Sequence, residues 1–288
     1  MSETERLPVA PRIEEVEASV ERSRAARAAQ TRVASVLAPA VVVIAVLALW
    51  EAATRHFAVP VFLLPPPSAI VASMAKNAAL LAAGTWVTTL EIVLGFLLSI
   101  AVGIPLALMI FLWPPFSRAV LPLLISSQAM PKVAIAPLFL VWFGFGIVPK
   151  VLIAFLIAFF PVVINTAVGL AAIEPEKIHL ARSMGLGALD TFFKIRLPDA
   201  LPAIFAGLKI SITLAVVGAV VGEFVGGDAG LGYLLMVANG SMDTQLLFAG
   251  IVWLTILGVA LYAMVALAER LVLPHHIIAR NSAAGGSL

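Results

Sequence analysis

Cysteine is absent from the 288-residue chain, which removes disulfides, thiolate metal sites and cysteine nucleophiles together. Charge is scarce: Asp, Glu, Lys and Arg make up 12% of the residues, about half the roughly 25% of a soluble domain, so an ordinary water-soluble fold is excluded. No Gly-Lys-Ser or Gly-Lys-Thr occurs, so the chain lacks a phosphate-cradling loop of the usual kind and is not expected to hydrolyse ATP itself. The histidines His56, His179, His275 and His276 form no ligand spacing within an apolar stretch, which sets aside a metal-dependent membrane enzyme. A net charge of +2 is too small to suggest a nucleic-acid partner. A cleavable signal peptide is not expected either, because the N-terminal stretch mixes acids with arginines and the first apolar run begins near Val33.

What the chain does have is apolar length. Hydrophobic residues make up 62% of it, and its mean hydropathy is +1.09. Six segments approach or exceed the roughly 20 apolar residues of a spanning helix. They run from Leu37 to Thr54, Trp86 to Leu112, Val120 to Phe143, Val151 to Ile173, Pro202 to Val221 and Gln245 to Val272. Basic residues fall unevenly beside them. One side collects Arg22, Arg24, Arg27, Arg32, Arg118, Lys177, Arg182, Lys194, Arg196, Lys209, Arg270 and Arg280, the other only Arg55, Lys76 and Lys150. The positive-inside rule makes the richer side cytoplasmic. The expectation is an all-α, polytopic membrane protein with six transmembrane helices and both termini cytoplasmic. Residues 1–34 form a solvated N-terminal tail, in which Ile13, Val16 and Val20 stand at helical spacing; 35–274 form the transmembrane domain and 275–288 a C-terminal tail.

The connections add detail. Leu64-Pro65-Pro66-Pro67-Ser68 turns the chain before a short helix near Ala69 to Leu81. Gly226 to Gly232 reads as a glycine-rich loop followed by a shallow helix from Tyr233 to Ala238. No internal repeat marks the halves of a secondary transporter.

One stretch interrupts the apolar pattern. Ile173 to Pro202, IEPEKIHLARSMGLGALDTFFKIRLPDALP, holds Lys177, Arg182, Lys194 and Arg196. Pro175 suits a helical first turn, where its missing donor has no partner anyway, and Glu176 suits the positive dipole end. That helix is expected to stop at Gly185, since a glycine accepts the left-handed conformation of a helix C-terminus. A second helix from Ala188 places Leu189, Phe192, Phe193 and Arg196 at helical spacing, with an aromatic face toward protein, and ends by Leu197-Pro198.

These residues carry a resemblance. The pattern Glu-Ala-Ala, three residues, Gly, nine residues, Ile, one residue, Leu-Pro marks the EAA loop of bacterial ABC importer permeases. Ala181, Gly185, Ile195, Leu197 and Pro198 stand at its places with the spacing intact. His179 and Leu180 occupy the first two positions, so the contact of the family's glutamate is not carried over. Pro131 to Leu138, Trp142 to Gly146, Gly222-Glu223-Phe224 and Gly230-Leu231-Gly232 are similar to the nitrate, sulfonate, taurine and thiamine-precursor branch. The resemblance implies a type I ABC importer permease fold in the bacterial inner membrane. It implies a second copy of the chain, two cytoplasmic ATPase subunits carrying ATP and Mg, and an external substrate-binding protein. It also implies that the loop acts as a coupling helix, with His179, Ala181, Arg182, Gly185, Ile195, Leu197 and Pro198 at the ATPase contact.

Intramembrane charges are the pathway candidates, because an ionised side chain at mid-bilayer costs about 2.5–3.5 kcal/mol on insertion scales and turns toward protein or water. Lys132 follows Pro131 in the third segment, where a helix loses a hydrogen bond. It either eases an anion through or pairs with Glu91. Glu223 ends the fifth segment as a gate or an anchor, and Gln128 adds a polar lining group. The substrate expected is a small sulfonate- or nitrate-like anion or a thiamine-precursor-like molecule. The alternative is a secondary transporter or channel using Glu91 and Lys132.

Overall fold

A computed structural model describes residues 40–273; both predicted tails and the start of the first apolar segment lie outside them. The described chain falls into two compact units, residues 40–60 with 66–68, and residues 61–65 with 69–273. In the first unit, α1 is helical over residues 40–56 and exposes Val41 to Leu49 almost continuously. Near its end Glu51 accepts hydrogen bonds from the Ser68 amide and hydroxyl, at 3.0 and 2.8 Å, and from Arg55 at 2.6 Å.

The second unit is built from helices. In chain order they are α2 (Pro67–Lys76, most of which it contains), α3 (Ala78–Leu112), α4 (Pro114–Ser127), a 3₁₀ turn (Lys132–Ile135), α5 (Ala136–Phe143) and α6 (Ile147–Ala171). Then come α7 (Pro175–Ser183), α8 (Ala188–Thr191), a π turn (Phe192–Arg196), α9 (Leu197–Gly226), α10 (Leu231–Gly240) and α11 (Thr244–Val272). Helices α3, α6, the continuous run Ala188–Gly226 and α11 are each long and apolar enough to cross a membrane.

Helix α6 packs along α9, and α3 lies against both. Apolar side chains gain little by leaving lipid for one another, so close approach of small residues holds such helices together. Ala154 sits at the crossing. A Cβ added to Gly218 would lie 2.5 Å from its Cα, and one added to Gly95 would lie 2.6 Å from its Cβ. Ile92, Ala158, Ile212, Ala215, Ala219 and Leu261 complete the core around it. Ser211 donates to the Ala158 carbonyl at 2.8 Å and Ser99 to that of Phe155 at 3.3 Å, polar links between helices. Helix α11 joins through the Lys209–Glu269 ion pair at 2.8 Å.

Two expectations are corrected. The third apolar segment is not one helix: α4 and the 3₁₀–α5 run meet at 86°. Gln128, Ala129 and Met130 donate to carbonyls three residues back rather than four, and Pro131 offers no donor and bars Met130 from the helical region. The second helix of the polar island does not end at Leu197-Pro198 but runs on to Gly226. The π turn is the reason. Its wider bond, Leu197 N–H to the Phe192 carbonyl, shifts the backbone where the Pro198 ring would otherwise meet the preceding turn.

Candidate functional site

The polar island folds as a short helix, a tight stop and a helix that becomes a span. Glu174 precedes Pro175 at the first position of α7, and Glu176 lies in its first turn. At the other end Gly185 has φ of +80°. Its N–H reaches the Arg182 carbonyl at 3.0 Å while the Leu186 N–H reaches that of Ala181 at 3.1 Å. These paired bonds form the glycine stop that satisfies the last carbonyls of a helix. Lys177 then ties α7 to the start of α9 through Asp199 at 2.6 Å.

This stop turns a charged loop into an apolar display. Leu180, Met184, Leu189 and Phe193 are each more than 60% exposed, although charged residues surround them in sequence. The aromatic face expected against protein is therefore split. Phe192 packs on Leu170, Ala200 and Ile204, whereas Leu189 and Phe193, one turn apart, face outward. His179, Arg182 and Gly185 are exposed as well, Ala181 is buried, and Ile195, Leu197 and Pro198 are half-buried.

A second constellation lies at the far end of α9. Glu91 on α3, Lys150 on α6 and Glu223 on α9 are all essentially inaccessible. Lys150 Nζ stands 3.0 Å from Glu91 Oε1 and 3.3 Å from Asp228 Oδ1, and it donates to the Ala229 carbonyl at 3.4 Å. The Glu91 contact is counted as an ion pair only, and neither Glu91 oxygen has a geometric hydrogen-bond partner among the described residues. Asp228 itself is exposed, and its carboxyl is held below the ordinary carboxylate range by its own backbone N–H first and then by Lys150.

Glu223 caps a neighbouring helix. Its Oε1 accepts from the Thr88 hydroxyl at 2.6 Å and its Oε2 accepts from the Gly232 N–H; the Leu231 N–H donates to Thr88 Oγ1 at 2.8 Å. Those two amides belong to the first turn of α10, where backbone donors lack helical partners and negative charge is favoured. The approach depends on Gly232, whose added Cβ would sit 2.6 Å from Glu223 Oε2. Three spans thus hold the loop Gly227–Gly230 and the start of α10 in place.

The pathway candidates separate accordingly. Glu91 and Glu223 come together, but Lys132 does not join them: it is half-buried, 5.9 Å from the Phe160 ring centroid, beside the break that holds the exposed Gln128 and Pro131. The ion partner of Glu91 is Lys150, a residue read from sequence as an outer-loop charge. Because α6 begins at Ile147 rather than Val151, Lys150 lies in its first turn. Lysine so close to the predicted span was the available signal.

Residues 99–274 match the family described as binding-protein-dependent transport system inner membrane component. A probable ABC transporter permease protein of Haemophilus influenzae is 38% identical over 226 residues, covering 78% of this chain and 92% of that protein. The formylaminopyrimidine transport permease protein of Halalkalibacterium halodurans is 36% identical over 239 residues, covering 83% and 95%. Among solved structures, an inward-facing MetNI methionine ABC transporter chain superposes with a TM-score of 0.59 at 21% identity, covering 69% of this chain and 99% of that one; this likeness concerns the fold.

Proposed function

The chain belongs to the family of binding-protein-dependent ABC transport inner membrane components, and from that premise we propose that it is the permease of an ATP-driven importer whose polar island, residues 173–202, transmits the work of a separate ATPase. The observation that carries the coupling role is the exposed set Leu180, Met184, Leu189 and Phe193, displayed on a loop whose stop is fixed at Gly185. An apolar cluster among charged residues, on α7 and the first turns of the run Ala188–Gly226, fits a protein cleft, because leaving it in water forgoes about 25 cal/mol per Å² of burial.

On this reading His179, Arg182 and Gly185 lie at the ATPase contact. Ala181, Ile195, Leu197 and Pro198 support the loop from beneath. Two copies of the chain supply two loops for two ATPase subunits, which carry ATP and Mg, and an external binding protein delivers the substrate. On the same reading the chain makes six spans, with α4 and α5 together as one broken span, both termini are cytoplasmic and the loop lies inside. Lys132, Pro131 and Gln128, at the break between α4 and α5, line the pathway, whereas Glu91 and Glu223 fix the outer loop that borders it. The substrate is a small sulfonate- or nitrate-like anion or a thiamine-precursor-like molecule, and the formylaminopyrimidine permease at 36% identity favours the latter. A secondary transporter built on Glu91 and Lys132 gains no support from the geometry, since Glu91 is buried against Lys150.

Gly185→Val tests the coupling role. A β-branched residue at φ of +80° strains the stop by about 1–3 kcal/mol, while an added Cβ there meets nothing within 4 Å. Insertion should be retained, and ATPase co-purification and uptake should fall together. Undiminished uptake by an inserted variant that no longer retains the ATPase would refute the proposal.

A further inference from the structure

The four basic residues of the island are not alike. Lys194 pairs with Asp190 at 2.7 Å and Lys177 with Asp199 at 2.6 Å. Arg182 and Arg196 have no carboxylate within ion-pair distance among the described residues, yet both line one groove of about 340 Å³. The Arg196 guanidinium carbon lies over the Phe111 ring, 5.0 Å from its centroid. A guanidinium held over a ring keeps N–H donors to give, and their fork matches phosphate oxygens in pairs. Ile178, Leu186 and Phe192 supply the apolar part of the wall.

The level of the groove identifies its occupant. Phe111 and Leu112 end α3, a helix of 35 residues. At 1.5 Å per residue it is roughly 52 Å long, beyond the roughly 30 Å hydrocarbon core. A helix of that length extends past the core, and because its last two residues share the groove with Arg182 and Arg196, charges that stay out of hydrocarbon, this end is set at the headgroup layer. Trp113 is exposed there and stacks parallel to Phe116 at 5.9 Å, an aromatic pair of the kind that marks a membrane interface. We propose that this groove binds the phosphate of an anionic phospholipid, with Arg182 and Arg196 as its two donors and the apolar wall against the first part of its acyl chains. Free phosphate shares the headgroup chemistry but has no use for that wall. A carboxylate of the ATPase is disfavoured because Leu180, Met184, Leu189 and Phe193 do not line the groove. The lipid site and the proposed protein face thus use different side chains, with Arg182 at their border, and the inference does not depend on what the chain transports.

The test uses the full chain in nanodiscs of phosphatidylcholine with a minority of phosphatidylglycerol, followed by native mass spectrometry of the lipid it retains. At roughly fivefold per arginine near an anionic surface, the parent should enrich phosphatidylglycerol about thirtyfold over its bulk share. Arg182→Gln/Arg196→Gln should return retention to the bulk ratio, and Arg118→Gln, exposed on α4, should leave it unchanged. No enrichment in the parent overturns the proposal whether or not the double variant folds. Enrichment that persists in a folded double variant does so too, as does displacement of the lipid by millimolar inorganic phosphate, which marks a soluble-anion site. Loss of enrichment when the ATPase binds, with cross-links from both arginines to that subunit, would make the groove a protein contact and likewise overturn it.

Discussion

Replacing Lys150 by methionine puts the buried cluster to a quantitative test. The Lys150 side chain is 2% exposed, and its ammonium lies between Glu91, itself 0% exposed, and Asp228. Methionine keeps much of the stem's volume, which matters because the stem is packed: a Cβ at Gly222 would lie 3.2 Å from Lys150 Cβ and 3.4 Å from its Cγ. What the variant removes is charge. It leaves the Glu91 carboxyl buried beside Glu223 with no cation, a loss of at most about 3–5 kcal/mol for a broken buried pair, reduced by whatever protonation of the carboxyl recovers. Glu91→Gln leaves Lys150 with Asp228 and the Ala229 carbonyl, and should cost about 1–3 kcal/mol. Removing both charges together removes the uncompensated carboxylate, so the double variant should be more stable than Lys150→Met alone, with a coupling of about 2 kcal/mol or more. The assay is equilibrium unfolding in mixed detergent–SDS micelles, read by tryptophan fluorescence for the parent and the three variants. Additive effects within about 0.5 kcal/mol would refute the assignment of Lys150 as the partner of Glu91.

Two further predictions concern Asp228 and Lys132. The Asp228 carboxyl is held below its ordinary range, so its contribution to stability is complete above about pH 3.9 and is lost only as pH falls through the lower folded value. Heat-unfolding curves of the parent and Asp228→Asn in detergent should differ by a small constant from pH 5 to 8 and converge below about pH 4; convergence already at pH 6 would remove Asp228 from the ion network. Lys132→Ala should impair uptake selectively if the substrate is an anion, and equal rates for charged and neutral substrates in variant and parent would remove Lys132 from the pathway.

Much of the architecture was readable because it rests on local patterns. Apolar runs mark the cores of α3, α6, α9 and α11, although α3 begins at Ala78, eight residues before the expected Trp86 and inside the short helix expected to reach Leu81, and α9 overruns its segment by five residues at each end; Gly185 marks the end of α7 because the left-handed turn there calls for glycine. Reading failed where distant residues meet. Nothing near Lys150 in the chain announces Glu91 or Asp228, which three separate elements bring together. Local chemistry also misled where backbone geometry absorbed a proline. Pro131 breaks its segment because the turn before it has already tightened, whereas Pro198 sits within a continuous helix because a π turn precedes it. The outward turn of Leu189 and Phe193 was hidden for a related reason: helical spacing groups them with Phe192, and only the packing of α9 decides which ring is covered.

The central claim, that this permease is driven by ATP through the loop at 173–202, is tested most directly in sealed proteoliposomes holding the chain and its ATPase, with the binding protein and labelled substrate on the side opposite the ATPase sites. The account predicts uptake that requires ATP and the binding protein, survives the collapse of ion gradients by ionophores, and falls in Gly185→Val. Uptake that proceeds without ATP and disappears with the ion gradient would contradict it.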